Sequence, residues 1–162
     1  MRVRRATEQD LDQIAAIYNQ GIAGRGATFE TEPRSTGDVA GWLDEDQLLL
    51  IAESDGQAAA FARTSAYRTR PCYAGIREFS VYVDEAHRGK GLGVAVMREL
   101  IAQAPAKGVS KFIARIFTEN TASLALCDQL GFRRVGIYEK HGQLDGEWRD
   151  CAIVELVLID AA

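Results

Sequence analysis

The sequence predicts a mixed α/β domain of the α+β type around a central twisted sheet, and three patterns carry that prediction. Two apolar runs flank Asp55-Gly56, a strong hairpin signal. A β-branched run enters the glycine-rich stretch 83–97, VDEAHRGKGLGVAVM, and an amphipathic run leaves it. A further apolar strand then follows, as in a βαβ crossover. Reading the elements in order gives β-α-α-β-β-β-α-β-α-β-β, which mixes early antiparallel hairpins with one later crossover and places about seven strands in the sheet.

Each element has its own signal. MRVRRA alternates as a short strand, and Leu11, Ile14, Ile17 and Tyr18 recur at helical spacing behind Thr7 or Asp10 as the cap. After the loop 23–35, Thr36 can cap a helix over 37–46. QLLLIAES and QAAAFARTSAY are the hairpin strands. AGIREFSVYVD alternates Phe79, Val81 and Val83 on one face against Glu78, Ser80 and Tyr82 on the other. From Gly91, Leu92, Val96 and Leu100 recur every four residues, and Pro105 closes that helix before Lys107-Gly108. KFIARIF reads as a buried strand, and 120–130 as a short helix ending at Gly131. Strands over 132–139 and 147–159 finish the chain.

The 162 residues suit one domain, 1–162, with no linker or repeat to divide it. Hydrophobic residues at 47% and charged residues at 26% are ordinary for a globular protein, and no run reaches the length of a membrane span. The basic N-terminus lacks the apolar core of a secretion signal. Cys72, Cys127 and Cys151 are odd in number and widely spaced, which suggests neither a disulfide framework nor a metal site, so a cytoplasmic location is expected. A net charge of −4 argues against a nucleic-acid partner, so an anionic ligand must meet a local positive patch.

The glycine loop supplies such a patch. A strand feeding Arg88-Gly89-Lys90-Gly91-Leu92-Gly93 and then a helix gathers backbone N–H groups at a helix N-terminus, where they can grip a diphosphate. The same pattern also fits an ordinary glycine-rich turn. Two nucleotide alternatives fail on spacing. The Walker pattern G-x-x-x-x-G-K-[ST] is absent, and a Rossmann fingerprint belongs in the first βαβ unit, whereas this loop follows four strands.

Arg88-x-x-Gly91-x-Gly93, after SVYV and before an amphipathic helix, resembles the acyl-CoA loop of the GCN5-related N-acetyltransferases. NTASLALCDQLGF is similar to that superfamily's second signature. Four further segments, ATFETEP, YRTRPCY, REFSVYV and YEKHGQLDGEWRD, resemble the phosphinothricin N-acetyltransferases and their arsinothricin-acetylating relatives, over essentially the whole chain. The resemblance implies acetyl-CoA as co-substrate and the α-amino group of a glutamate-like antibiotic amino acid as acceptor. A homodimer is expected, since such enzymes usually pair.

It also implies roles. Val81, Tyr82 and Val83 would pair their backbone with the pantetheine arm. Arg88, Gly89, Lys90, Gly91, Leu92, Gly93 and Val94 would hold the diphosphate, with Asn120 and Ser123 meeting the cofactor. Glu78 would be the general base, which the chemistry requires because an α-amino group titrates at about 8 and arrives protonated. Its strand position, on the face opposite Phe79, points it toward a cleft where shielding from water would make it more basic. His141 would assist proton transfer or position substrate. Arg68 and Arg70, at alternate positions at the end of the third strand, can project together and offer two forks to a doubly acidic amino acid. The resemblance closes that pocket with Phe29 and Tyr73 and places Ser80 nearby. His87 reads as a solvated surface residue. An acyl-cysteine route through Cys72 or Cys127 has no motif tying a histidine to either thiol.

Overall fold

A computed structural model describes residues 1–159; the last three residues of the expected domain lie outside the described residues. Strands β1 (Arg2–Arg5), β2 (Leu49–Ser54), β3 (Gln57–Ala66), β4 (Ile76–Val83), β5 (Lys111–Phe117), β6 (Arg133–Leu144) and β7 (Glu147–Val157) form one sheet in the order β1-β2-β3-β4-β5-β7-β6. Every neighbouring pair is antiparallel except β4 and β5. Helices α1 (Leu11–Ala23), α2 (Thr36–Ala40), α3 (Leu92–Gln103) and α4 (Thr121–Gln129) cover it.

The two faces have separate cores. Leu50 and Ala52 of β2, with Ala60 and Ala62 of β3, pack under Met97 and Leu100 of α3 and Leu124 of α4. Leu49 and Ile51, the alternate residues of β2, pack with Phe61 under Ile14 and Ile17 of α1 and Val39 of α2. A strand covered on both faces is apolar on both, which explains the continuous apolar run that announces β2 in the sequence. At the sheet edge Arg4 binds Asp10 by two bonds of 2.8 and 2.9 Å and also reaches Glu53. Asp10 accepts the Thr7 N–H at 2.8 Å, closing a capping box before α1. Hydrogen bonding to Arg4 holds the Asp10 carboxyl below the usual carboxylate range.

The β2–β3 turn takes the form Asp55-Gly56 predicts, with φ of 53° and 77° at the two residues. Three expectations need correction. The helix expected over 37–46 is one short piece, Thr36–Ala40; Ser35 rather than Thr36 caps it through its bond from the Asp38 N–H, and Gly41 follows its last residue. The expected 132–139 strand runs on to Leu144 and turns through Asp145 and Gly146, with φ of 50° and 79°, so a second hairpin of the first kind closes the sheet. β6 is an exposed edge strand with no buried face over most of its length, which removes the alternation that would mark it. β5 is not buried throughout, because Arg115 is exposed within it.

Candidate active site

The site begins with a break in the sheet. β4 and β5 pair only through Ile76↔Lys111, Arg77↔Phe112 and Glu78↔Ile113, although β4 continues to Val83 and β5 to Phe117. Beyond Glu78 the strands part. On its other edge β4 stays paired with β3 to Val83, so the remainder of β4 presents one unpaired edge to the gap. Such an edge accepts an extended ligand as an added strand. The gap widens into a groove of about 630 Å³ floored by Val81, Tyr82 and Val83.

One wall is the glycine loop. Gly89 and Gly91 have φ of 77° and 79°, a region costly for residues with a Cβ, and Gly91 caps α3. The first helical bond runs from the Ala95 N–H to the Gly91 carbonyl at 3.0 Å, so the N–H groups of Leu92, Gly93 and Val94 have no partner within the helix. They are available to an anion, and the α3 dipole favours one there. Gly93 serves a different need, since a Cβ on it would lie 3.4 Å from Val83 Cγ2. The opposite wall is the start of α4, where Asn120 caps the helix through the Ser123 N–H at 3.2 Å. Of the residues assigned to the cofactor from sequence, all line the groove except Lys90, which is exposed beside it. Groove, free N–H groups and unpaired strand edge thus fit a long diphosphate carrier with a pantetheine arm.

Helix α1 closes the groove, and here the sequence reading missed residues. A Cβ at Gly21 would sit 2.6 Å from Tyr82 Cε1, so this glycine lets the ring lie against the helix. Tyr82 lines the groove while its ring packs beneath α1. Its ring stacks on Phe61 at 5.4 Å and meets Tyr18 edge-on at 5.0 Å, and burial pushes its hydroxyl pKa up. Gln20 donates to Asp84 Oδ1 at 2.7 Å and accepts the Glu85 N–H at 2.9 Å, pinning α1 to the end of β4. His87 is not a solvated bystander: its Nδ1 lies 2.7 Å from Asp84 Oδ2, and the residue lines the groove. Bonds from Gln20 and His87 hold the Asp84 carboxyl below its usual range. A lone glutamine on a helix carries no sequence signal for this role.

Glu78 stands where β4 and β5 diverge. Its side chain is half-buried and its Oε1 accepts from Arg115 Nη2 at 3.2 Å. The shielding expected for it is therefore partial and includes a guanidinium, not only apolar neighbours. Arg115 escaped the sequence reading because only the parallel register, Glu78 opposite Ile113, brings it there. Phe117, two residues further on, meets Phe29 edge-on at 4.7 Å and lies beneath the Arg149 guanidinium at 5.3 Å. Phe29 thus forms an aromatic wall at the open end of β5.

The acceptor residues expected from sequence are less gathered. β3 ends at Ala66, so Arg68 and Arg70 sit in the exposed β3–β4 loop and not on an extended strand end. They lie over Tyr67 at 5.0 Å and Tyr73 at 5.9 Å, and these two rings meet edge-on. Ser80 pairs with Arg63 across β3, on the same sheet face as Glu78. His141 lies within β6, not in a loop, exposed beside Tyr138 at 4.8 Å between ring centroids, where the strand register shifts. Among the described residues no hydrogen bond joins it to Glu78. Cys72 is exposed while Cys127 is buried, and burial pushes the Cys127 thiol up to about 12, an inert value for a nucleophile.

Comparison with known proteins agrees with this architecture. Residues 11–132 match the model of the "Acetyltransferase (GNAT) family". The chain is 32% identical to a phosphinothricin N-acetyltransferase of Streptomyces coelicolor over 96% of its own length and 95% of the relative's. It is also 32% identical to an L-methionine sulfoximine/L-methionine sulfone acetyltransferase of Pseudomonas aeruginosa, over 96% and 94%. Among solved structures, the phosphinothricin acetyltransferase of Sinorhizobium meliloti in complex with acetyl-CoA superposes with a TM-score of 0.90 at 31% identity, over 97% of this chain and 88% of that one. The family match over most of the chain, on a sheet that parts beside a glycine-capped helix, places the protein in the GNAT acetyltransferase family as an acetyl-CoA-dependent N-acetyltransferase.

Proposed function

We propose that the protein acetylates the α-amino group of a glutamate-like antibiotic amino acid, arsinothricin or phosphinothricin, by direct transfer in a ternary complex, and so confers resistance. The observation that carries this reading is the position of Glu78 at the apex of the parted strands, on the sheet face that also carries Ser80 and Arg63. Acetyl-CoA supplies the activated acetyl group. The unpaired edge of β4 orients it and offers a backbone N–H to its carbonyl oxygen, while the glycine loop and the α3 N-terminus hold its diphosphate. Glu78 takes the proton that the ammonium must lose, through a water or directly, and general-base help of this kind supplies about 10²–10⁴-fold. The freed amine then attacks the thioester carbonyl, the C–S bond breaks, and CoA leaves as a thiolate that takes up a proton from solvent. Arg68 and Arg70 hold the acceptor's acidic groups, with Phe29 and Tyr73 around it and His141 assisting. Holding both substrates in one cleft supplies much of the remaining acceleration. Acetylation removes the ammonium charge by which such an antibiotic mimics glutamate.

A second acceptor class, methionine sulfone and sulfoximine, is favoured by the Pseudomonas aeruginosa relative that bears that name. We further propose that the protein acts in the cytoplasm as a homodimer; exposed Val135, Ile137, Tyr138 and Trp148 on the β6–β7 edge supply apolar surface for pairing. Comparing kcat/KM for arsinothricin, phosphinothricin and methionine sulfoximine at saturating acetyl-CoA tests the acceptor. The highest value for either of the first two supports the proposal, and a preference for methionine sulfoximine by tenfold or more replaces it with the second class. Glu78→Gln tests catalysis itself, because a non-catalytic acyl-CoA-binding module would be indifferent to it.

A further inference from the structure

Beside the groove a second pocket, of about 330 Å³, opens between Tyr18 of α1, the loop and short helix from Glu30 to Asp38, Trp42 and Arg63 of β3. Arg63 stacks on the Trp42 ring, 4.1 Å from its centroid. The other charged groups of the pocket are engaged. Arg34 Nη2 and Glu30 Oε2 pair at 2.8 Å, and Asp38 Oδ2 accepts the Ser35 N–H at 2.8 Å. Arg63 forms no ion pair among the described residues, though it is half-buried and desolvation disfavours its charge. Stacking occupies one face of this half-buried guanidinium and leaves its N–H edge free for a coplanar, two-oxygen acceptor.

Its place in the sheet connects it to the chemistry. Across the β3–β4 ladder Arg63 faces Ser80 and Ser65 faces Glu78, so Arg63 stands one same-face pair along from the proposed base. Arg68 and Arg70, by contrast, are exposed and rest on tyrosines of their own loop. We propose that this pocket is an oxyanion subsite of the acceptor site, in which Arg63, held flat by Trp42, binds a carboxylate, phosphinate or arsinate group of the amino-acid acceptor. The inference rests on the amino-acid acetylation reading and adds to it a residue that fixes which acceptors enter. A lone arginine in a largely apolar strand gives no sign of this.

Trp42 reports the test directly, because the chain has two tryptophans and Trp148→Phe leaves only the one under Arg63. L-phosphinothricin and L-methionine sulfoximine are titrated into that variant, watching Trp42 emission, and acetyl-CoA affinity is measured by calorimetry alongside. The expected result is a saturable emission change that Arg63→Gln weakens tenfold or more in Kd and Arg63→Lys weakens less, with acetyl-CoA affinity unchanged in both. Loss for both amino acids places the shared α-carboxylate on Arg63, and loss for phosphinothricin alone places the phosphinate there. Unchanged affinity of Arg63→Gln for both, or no binding of either to the parent, overturns the subsite. Turnover separates the two ideas: binding that depends on Arg63 without acetylation removes the acceptor reading and keeps the subsite, whereas acetylation with an acceptor KM indifferent to Arg63→Gln does the reverse.

Discussion

The two ends of the catalytic cleft are built differently. The acetyl-CoA half consists of short contiguous pieces: the end of β4, the turn through Gly89 and Gly91, and the starts of α3 and α4. Its functional groups are mainly backbone, fixed by helix caps and by the strands' divergence after Glu78. The proposed acceptor half is assembled from side chains on β3, β4, β5, β6 and the loops after α1 and β3, and several of them are exposed. Acetyl-CoA, the co-substrate of the family, can be held by main chain in a local motif. An acceptor that varies is met by side chains that can change without disturbing the fold.

That contrast can be broken most sharply at Glu78. Glu78→Gln should lower kcat about 10²–10⁴-fold while acetyl-CoA affinity by calorimetry stays within a factor of two or so, since the carboxylate belongs to the acceptor half. An equal loss of acetyl-CoA affinity would show that the two halves are not separable. The reciprocal change is Gly91→Val, at a φ of 79° where a β-branched residue is strained. It should weaken acetyl-CoA by about tenfold or more, a cost on the order of 1–2 kcal/mol, and leave the acceptor KM at saturating acetyl-CoA nearly unchanged.

A third change concerns the scaffold that both halves share. Asp10→Asn removes one of the two carboxylate partners of half-buried Arg4, leaving Glu53, and should destabilise the fold by about 1–3 kcal/mol in denaturant unfolding. The folded Asp10 pKa lies below its ordinary value of 3.8, so its contribution is complete above that value and fades as the pH falls through the depressed one. The gap between parent and variant should therefore be constant at neutral pH and close at strongly acidic pH. A gap that grows on acidification would contradict the assignment. The smallest effect should come from Gln20→Ala, which loses two hydrogen bonds at the rim of the groove. We expect a few-fold rise in the acetyl-CoA KM, equivalent to about 1 kcal/mol, with no change in acceptor preference.

The same division decided what could be read from sequence. The hairpin at Asp55-Gly56, the strand into the glycine loop and the short helix before Gly131 each depend on residues adjacent in the chain, and they stand in the structure much as read. The identical Asp145-Gly146 turn went unread because β6 carries no buried face to announce a strand. The helix expected behind Thr36 stops short because Gly41 follows its last residue, five positions before the expected end. Arg115 beside Glu78 follows from the parallel register of β4 and β5, and Arg63 beside Ser80 from the antiparallel register of β3 and β4. No local pattern in a single sequence encodes either register.

Hydrogen exchange with and without acetyl-CoA measures the central claim most directly, because the unpaired edge of β4 beyond Glu78 and the free N–H groups at the start of α3 are exchangeable amides. Protection on binding should appear in segments 79–83 and 89–94 and be absent from the Arg68–Tyr73 loop. If acetyl-CoA leaves 79–83 and 89–94 exchanging as before while protecting some other segment, the ligand does not lie between the parted strands.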